Sequence, residues 1–175
     1  MSKIVFITGA TSGFGESAAY KFAAHGYDLI LNGRRADRLQ VLADELEKKY
    51  NVAVLQLPFD VQDEKAVFES IGHIPENWKA IDVLVNNAGL ALGRDYFEEG
   101  DLSDWNTMID TNVKGFLYVA KAVSQLMVPR KQGHIINMGS VAGKQVYEKG
   151  NVYCASKYAV DAISQGMRID LLRHN

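Results

Sequence analysis

The chain has 175 residues, of which 47% are hydrophobic and 23% are charged, and its formal net charge is −2. This composition is typical of a globular protein, and we expect residues 1–175 to form one domain. No basic block suits nucleic acid, and no apolar run approaches the roughly 18 residues that span a bilayer. We expect no signal peptide. Cys154 is the only cysteine, which favours a reducing compartment and predicts a cytoplasmic protein.

The predicted elements alternate between strand and helix along the chain. Short apolar runs predict five strands, at Ile4–Thr8, Leu29–Leu31, Val52–Leu57, Ile81–Val85 and His134–Met138. Helical periodicity predicts five helices, at Phe14–His25, Asp37–Tyr50, Val61–Ile71, Asp104–Val128 and Asn151–Arg173. Apolar strands that alternate with helices predict an α/β fold, with a doubly wound parallel sheet and helices on both of its faces.

A glycine-rich turn joins the first strand to the first helix. Its sequence, TGATSGFG, places glycines at positions 9, 13 and 15, which permit a tight turn and a close approach of the backbone to a ligand. Free N–H groups at a helix start bind phosphate. The candidate residues for a dinucleotide pyrophosphate are Gly9, Thr11, Ser12, Gly13, Phe14 and Gly15. The alternative is an ordinary loop that uses glycine only for turning.

This Gly-x-x-x-Gly-x-Gly spacing resembles the glycine motif of the short-chain dehydrogenase/reductase family. Asp60-Val61 resembles the family pair beside the adenine, and Asn86–Gly89 (NNAG) matches a family signature after the fourth strand. The resemblance implies a Rossmann-type fold and adds Asp60, Val61, Asn87, Ala88 and Gly89 to the cofactor site. Each pair or signature alone also suits a helix cap or a turn.

Two arginines follow the second strand, where an NAD enzyme usually has an acid on the ribose 2′-hydroxyl. Arg34 and Arg35 can hold a 2′-phosphate by charge-assisted hydrogen bonds. Each such bond contributes roughly 1.5–3 kcal/mol, so we expect about a hundredfold preference for NADP. Asp37 is the competing acid, but it lies beyond the strand and suits a helix start better. A solvated surface turn is the other alternative for the arginine pair.

Tyr153 and Lys157 lie four residues apart, and therefore on one face of the last predicted helix. A nearby lysine charge favours the tyrosinate and so permits proton transfer near neutral pH. Ser140, at the end of the fifth strand, can hold the substrate oxygen beside Tyr153. Asn112 is a polar amide among apolar neighbours and needs a partner. In the family this position helps to hold a water that relays protons to the lysine, which also contacts the cofactor.

The segments NNAGLALG, DTNVKG and NVYCASK resemble one subgroup, the NADP-dependent 3-hydroxy acid dehydrogenases that also oxidise serine and L-allo-threonine. That resemblance predicts a small hydroxy acid as substrate. Full family domains continue for roughly another half-length, so we expect this chain to lack the C-terminal strands and to turn over poorly alone. The family pairs the two long helices across a two-fold axis. We therefore expect a homodimer or homotetramer, helped by outward apolar residues at Phe116, Tyr118, Val119 and Met127.

Other classes of function remain as alternatives. A short-chain reductase of a different carbonyl compound would keep the same motifs, and a non-catalytic dinucleotide sensor would keep the glycine turn. A metal site is not expected, because the four histidines are scattered and Cys154 stands alone. Lys144, Arg94 and Lys149 follow strands, but we expect each to be an ordinary solvated charge rather than the group that binds the substrate carboxylate.

Overall fold

Strands and helices alternate as predicted, and the computed structural model describes them for residues 2–174. The strands in that range are β1 (Ile4–Ile7), β2 (Asp28–Gly33), β3 (Val54–Pro58), β4 (Ile81–Asn86) and β5 (His134–Asn137). The α-helices are α1 (Gly13–Ala23), α2 (Ala36–Tyr50), α3 (Glu64–Gly72), α4 (Leu102–Ile109), α5 (Phe116–Met127) and α6 (Asn151–Leu171). The predicted α/β fold is confirmed.

All five strands are parallel and form one sheet in the order β3-β2-β1-β4-β5. The chain winds outward from β1 through β2 to β3, and then crosses back to place β4 on the other side of β1. In such sheets a crevice opens beyond the carboxyl ends of the strands where the winding direction reverses. The topology therefore places the candidate site at the ends of β1 and β4.

The core lies in two layers because successive strand residues point to opposite faces. Phe6, Ile30 and Leu84 are fully buried on one face, against side chains of α3 and α5. Ile7 and Leu31 are fully buried on the other face, among residues of α1 and α2. Each such side chain contributes about 1.5–3 kcal/mol by leaving water. The strand ends that carry the site are thus fixed to a packed platform.

The predicted long helix over Asp104–Val128 is present as a continuous helical stretch, but its middle is not α-helical. A π-helical turn at Asp110–Gly115 separates α4 from α5. A β-carbon on Gly115 would lie 2.8 Å from Cγ2 of Val61, so the helix approaches the loop after β3 too closely for a side chain there. Pro129 does end the α-helix, inside a 3₁₀ turn at Val128–Arg130. The π turn occurs where the helix contacts residues that are distant in the sequence, and the pattern of hydrophobic residues along the helix does not indicate it.

Several element ends differ from the predicted ones by one to three residues. The third helix begins at Glu64 rather than Val61, because the Asp63 carboxylate accepts a hydrogen bond from the Ala66 N–H (3.0 Å) and caps the helix. The third strand starts at Val54 instead of Val52, and α1 ends two residues before His25. Within the described residues, no helix combines the length and the hydropathy needed to traverse a bilayer.

The predicted outward apolar surface of the long helix is also wrong. Phe116, Val119 and Met127 are buried within the chain, and Tyr118 packs partly against the same core. All of these residues lie in the regular helix α5, where positions 116, 119, 123 and 127 share one face, and that face packs against the core. Leu117 is the large apolar residue of α5 that is exposed.

Candidate active site

A cleft of about 940 Å³ opens at the carboxyl ends of the strands. Fifteen of the site residues predicted from the sequence line it, whereas Gly15 and Asn112 do not. The fifteen are Gly9, Thr11, Ser12, Gly13, Phe14, Arg34, Arg35, Asp60, Val61, Asn87, Ala88, Gly89, Ser140, Tyr153 and Lys157. The crossover in the sheet thus brings residues that follow all five strands, together with two residues of α6, to one place.

The glycine turn has the conformation that its sequence predicts. Gly9 and Gly13 have φ of +64° and +58°, which side chains rarely adopt. A β-carbon on Gly15 would overlap the carbonyl oxygen of Gly9, so this glycine allows the helix to fold back on the turn. A β-carbon on Gly13 would meet nothing within 4 Å, although Gly13 lines the cleft. The space beside Gly13 is thus available to a ligand.

The turn is held to the loop after β4 by hydrogen bonds that the sequence did not reveal. The buried hydroxyl of Thr8 accepts hydrogen bonds from the N–H groups of Asn87 and Ala88, each at 2.9 Å. In return, the Asn87 amide donates to the carbonyl oxygens of Thr8 (2.9 Å) and Gly9 (3.3 Å). Asn87 therefore positions the glycine turn, and Thr8 belongs to the site as its anchor.

The two arginines stand at the end of β2, at one side of the cleft. The Arg35 guanidinium donates to the Thr11 hydroxyl (3.1 Å), which connects it to the glycine turn. The Arg34 guanidinium lies 3.6 Å from the Asp60 carboxylate, with both side chains well exposed. Asp60 also accepts a hydrogen bond from the Gln62 N–H. Both guanidiniums keep donors free, because each has five N–H groups.

Ser140, Tyr153 and Lys157 line the opposite part of the cleft. The Ser140 hydroxyl accepts a hydrogen bond from the Ala142 N–H (3.1 Å), which leaves its own proton free to donate. A β-carbon on Gly143 would lie 2.6 Å from the carbonyl oxygen of Lys157, so the turn after Ser140 rests directly on α6. Within residues 2–174 the Tyr153 hydroxyl has no hydrogen-bond partner, as expected of a group that reacts with a ligand.

The ammonium group of Lys157 is enclosed by the protein. Its Nζ donates to the carbonyl oxygen of Met138 (2.9 Å) and lies 6.0 Å from the centre of the Tyr153 ring. Only 8% of the residue is exposed. Burial lowers the pKa of Lys157 below its ordinary value, because the charged form loses hydration. Nothing in the described part of the chain pairs this charge with a carboxylate.

Asn112 lies in the π turn, where such turns often mark functional positions. Its side-chain amide donates to the carbonyl oxygen of Leu90 (2.7 Å) and to the Ser156 hydroxyl (3.0 Å), and its oxygen accepts from the Leu90 N–H (2.8 Å). The buried amide thus has the partners that the sequence required. Asn112 thereby connects the loop after β4 to α6, at Ser156, which follows Tyr153 by three residues.

A second, smaller cleft of about 510 Å³ meets the first one at Tyr153 and Ala91, which line both. Its walls come from the loop after β4, from α4 and from the segment just before α6. Trp105 and Tyr147 supply aromatic surface, and Arg94 and Lys149 supply positive charge. The sequence did not predict this cleft, because loops 50 residues apart form it.

The chain belongs to the short chain dehydrogenase family, whose sequence pattern it matches over residues 3–175. It is 50% identical over 168 residues to the NADP-dependent 3-hydroxy acid dehydrogenase YdfG of Salmonella typhi, covering 96% of this chain and 66% of that protein. It is 49% identical over 172 residues to sulfoacetaldehyde reductase 2 of Chromohalobacter salexigens, covering 98% of this chain and 68% of the relative.

A solved structure, serine dehydrogenase from Escherichia coli, superposes with a TM-score of 0.89 at 47% identity, covering 95% of this chain and 76% of the other. The chain thus spans about two thirds of the length of the curated relatives. The matched region covers 96% to 98% of this chain in those relatives and 95% in the solved structure.

Proposed function

We propose that this protein is an NADP-dependent oxidoreductase that transfers a hydride between the nicotinamide and a small 3-hydroxy acid, such as serine or L-allo-threonine. The observation that carries the proposal is the placement of Ser140, Tyr153 and Lys157 in the same cleft as the arginine pair. Proton-transfer groups at one side and phosphate-binding groups at the other suit an extended dinucleotide. The names of the relatives, NADP-dependent 3-hydroxy acid dehydrogenase and serine dehydrogenase, support the same substrate class.

The residues of the larger cleft fit NADP. The side chain of Ser12, at the start of α1, caps none of the helix N–H groups, so these remain available to the pyrophosphate. The open space beside Gly13 gives room for it. Arg34 and Arg35 would hold the 2′-phosphate. Asp60 and Val61 would hold the adenine, and the Asn87–Gly89 loop would hold the middle of the cofactor. Bound NADP supplies or accepts the hydride.

The protein side chains manage the proton. During reduction, Tyr153 gives its hydroxyl proton to the substrate oxygen, and in the reverse direction the tyrosinate removes it. The Ser140 hydroxyl donates a hydrogen bond to the same oxygen and keeps it in line with Tyr153. The Lys157 ammonium, which no carboxylate of residues 2–174 pairs, lies 6.0 Å from the centre of the Tyr153 ring and would hold the ribose of the cofactor.

Asn112 completes this arrangement as a proton-relay position. The side-chain NH₂ group of Asn112 donates both of its protons, one to Leu90 and one to Ser156. Asn112 can therefore bind a water only through its oxygen atoms, as a hydrogen-bond acceptor. Its contact with the loop after β4 keeps Leu90, which lines the cofactor cleft, in place. We therefore assign Asn112 to positioning the relay rather than to contact with the substrate.

A substrate panel tests the proposed function directly. Full-length protein is mixed with NADP and, separately, with 3-hydroxypropionate, L-serine, isethionate, a steroid alcohol and a sugar, and formation of NADPH is followed by its absorbance. We expect turnover of the hydroxy acids. The relative that reduces sulfoacetaldehyde makes isethionate the second candidate. Turnover of steroids or sugars alone would contradict the substrate class, and cofactor binding without any turnover would identify a sensor instead.

We also propose a cytoplasmic homodimer or homotetramer. Exposed apolar side chains on the two long helices support an interface between copies, although they are not the predicted ones: Leu117 on α5, and Tyr158 and Ile169 on α6. The single, buried Cys154 suits a reducing compartment. Sedimentation of the full-length protein at micromolar concentration should show a dimer or tetramer, and a monomer would contradict the proposed assembly.

A further inference from the structure

The smaller cleft contains a lysine in an unusual backbone conformation. Lys149 has φ of +62°, in the left-handed region that glycine adopts without cost and that other residues avoid. Lys149 lines the cleft together with Tyr153. Strain of this kind points towards a function when the residue also faces a site.

The Lys149 ammonium is positioned by an aromatic side chain. Its Nζ lies 4.2 Å from the centre of the Tyr96 ring, within the range of a cation–π interaction. The Tyr96 hydroxyl donates in turn to the Glu148 carboxylate (2.8 Å), which fixes the ring. No carboxylate of residues 2–174 comes within ion-pair distance of the ammonium itself, so this charge keeps its hydrogen-bond donors for a ligand.

The net charge of the smaller cleft is unfavourable for binding a negatively charged substrate. Arg94 and Lys149 face Asp95, Asp101 and Asp104, so the walls carry more negative than positive charge. Asp101 accepts a hydrogen bond from the Ser103 N–H, and Asp95 and Asp104 both lie beside Gly93. An anionic substrate therefore requires one cation in a fixed place rather than a generally positive surface.

We infer that Lys149 is the residue that binds the acidic group of the substrate. The inference rests on the proposed function and assigns the carboxylate-binding group that this function requires. The substrate hydroxyl lies at Tyr153, where the two clefts meet, and the chain of the substrate extends into the smaller cleft towards Lys149. A carboxylate and a sulfonate share this chemistry, because both are oxygen anions separated from the reacting carbon by a short chain.

The test compares charged and uncharged substrates in the full-length enzyme. Values of kcat and KM are measured with 3-hydroxypropionate, isethionate and methyl 3-hydroxypropionate, whose ester removes the negative charge. In Lys149→Gln, we expect KM for the two acids to rise about fivefold, the upper end for an ion pair made by an exposed ammonium group. KM for the ester and kcat for all three should change little. The acid with the larger loss identifies the preferred anion.

Three further variants make the result specific. Lys149→Arg keeps the charge and should restore binding of the acids. Arg94→Gln removes the other cation of the same cleft, and Lys131→Gln changes a distant lysine that also has a positive φ. Both should leave the ratio of acid to ester unchanged. A loss in Arg94→Gln but not in Lys149→Gln would overturn the inference and leave the proposed function standing. Absence of turnover with all three substrates would overturn both.

Discussion

The buried ammonium of Lys157 gives the site a measurable dependence on pH. Burial lowers the pKa of Lys157 from its ordinary value of 10.5. Between the lowered pKa and 10.5 the folded protein binds fewer protons than the unfolded chain, so the free energy of unfolding rises with pH in this interval. A buried charge such as that of Lys157 destabilises the folded protein, and groups with shifted pKa values of this kind are typical of active sites.

Replacing this lysine should therefore separate stability from binding. Lys157→Met removes the charge at similar length, so NADPH binding should weaken. As pH rises towards 10.5, the free energy of unfolding of the wild type should increase relative to that of the variant. The reason is that Lys157 loses its proton in the folded wild type and its buried charge disappears, whereas the variant has no such group. Urea unfolding across this pH range, with cofactor titration at neutral pH, measures both effects. Parallel stability profiles would contradict the buried, charged state of Lys157.

The arginine pair predicts the choice between the two nicotinamide cofactors. Arg34→Ala combined with Arg35→Ala should reduce affinity for NADPH about a hundredfold, since each lost phosphate contact costs roughly 1.5–3 kcal/mol before solvent screening. Affinity for NADH should change little. Titration of both cofactors by protein fluorescence measures the ratio. Arg38→Ala is the control, because Arg38 is exposed on α2 but does not line the cleft; equal affinities in the wild type would contradict the assignment.

At the scale of the element, two glycines in one turn should respond differently to the same change. Gly15→Ala forces a methyl group against the Gly9 backbone and should lower the free energy of unfolding by more than about 3 kcal/mol. Gly13→Ala meets open space, so its left-handed φ should cost only about 1 kcal/mol. Its main effect should be weaker binding of NADPH.

Chemical denaturation and cofactor titration distinguish the two variants. Gly166→Ala is the matched control, because this glycine lies inside α6 with nothing within 4 Å of an added β-carbon. That change should stabilise the protein by about 1 kcal/mol. If Gly13→Ala left cofactor affinity unchanged, the phosphate would not lie beside the glycine turn.

The elements that the sequence predicts best are those determined by local patterns. Short apolar runs located all five strands, because a parallel strand that is buried on both faces consists almost entirely of apolar residues. The π turn at Asp110–Gly115 was not predictable, because it accompanies contacts of Asn112 with Leu90 and of Gly115 with Val61. Thr8 was missed for the same reason: its partner Asn87 lies 79 residues away along the chain.

At the scale of the whole molecule, motifs far apart in the sequence meet because the sheet reverses its winding between β1 and β4. The sequence could predict this convergence, since carboxyl ends of parallel strands share one edge. It could not predict the smaller cleft or the role of Lys149, which we expected to be an ordinary solvated charge. That cleft depends on how irregular loops pack, and loop packing leaves no periodic signal.

The proposed chemistry depends most directly on the Tyr153 hydroxyl, which can be removed alone. In full-length protein with NADP and 3-hydroxypropionate, Tyr153→Phe should lower kcat by about a hundredfold to ten-thousandfold, the usual contribution of a general acid–base group. Folding and cofactor affinity should stay close to wild type, because the hydroxyl has no partner among residues 2–174. Tyr158→Phe changes a tyrosine of the same helix that lines neither cleft, and since it keeps the apolar ring assigned above to the subunit interface, it should retain full activity. Near-normal kcat in Tyr153→Phe would contradict the assignment and place the proton donor elsewhere.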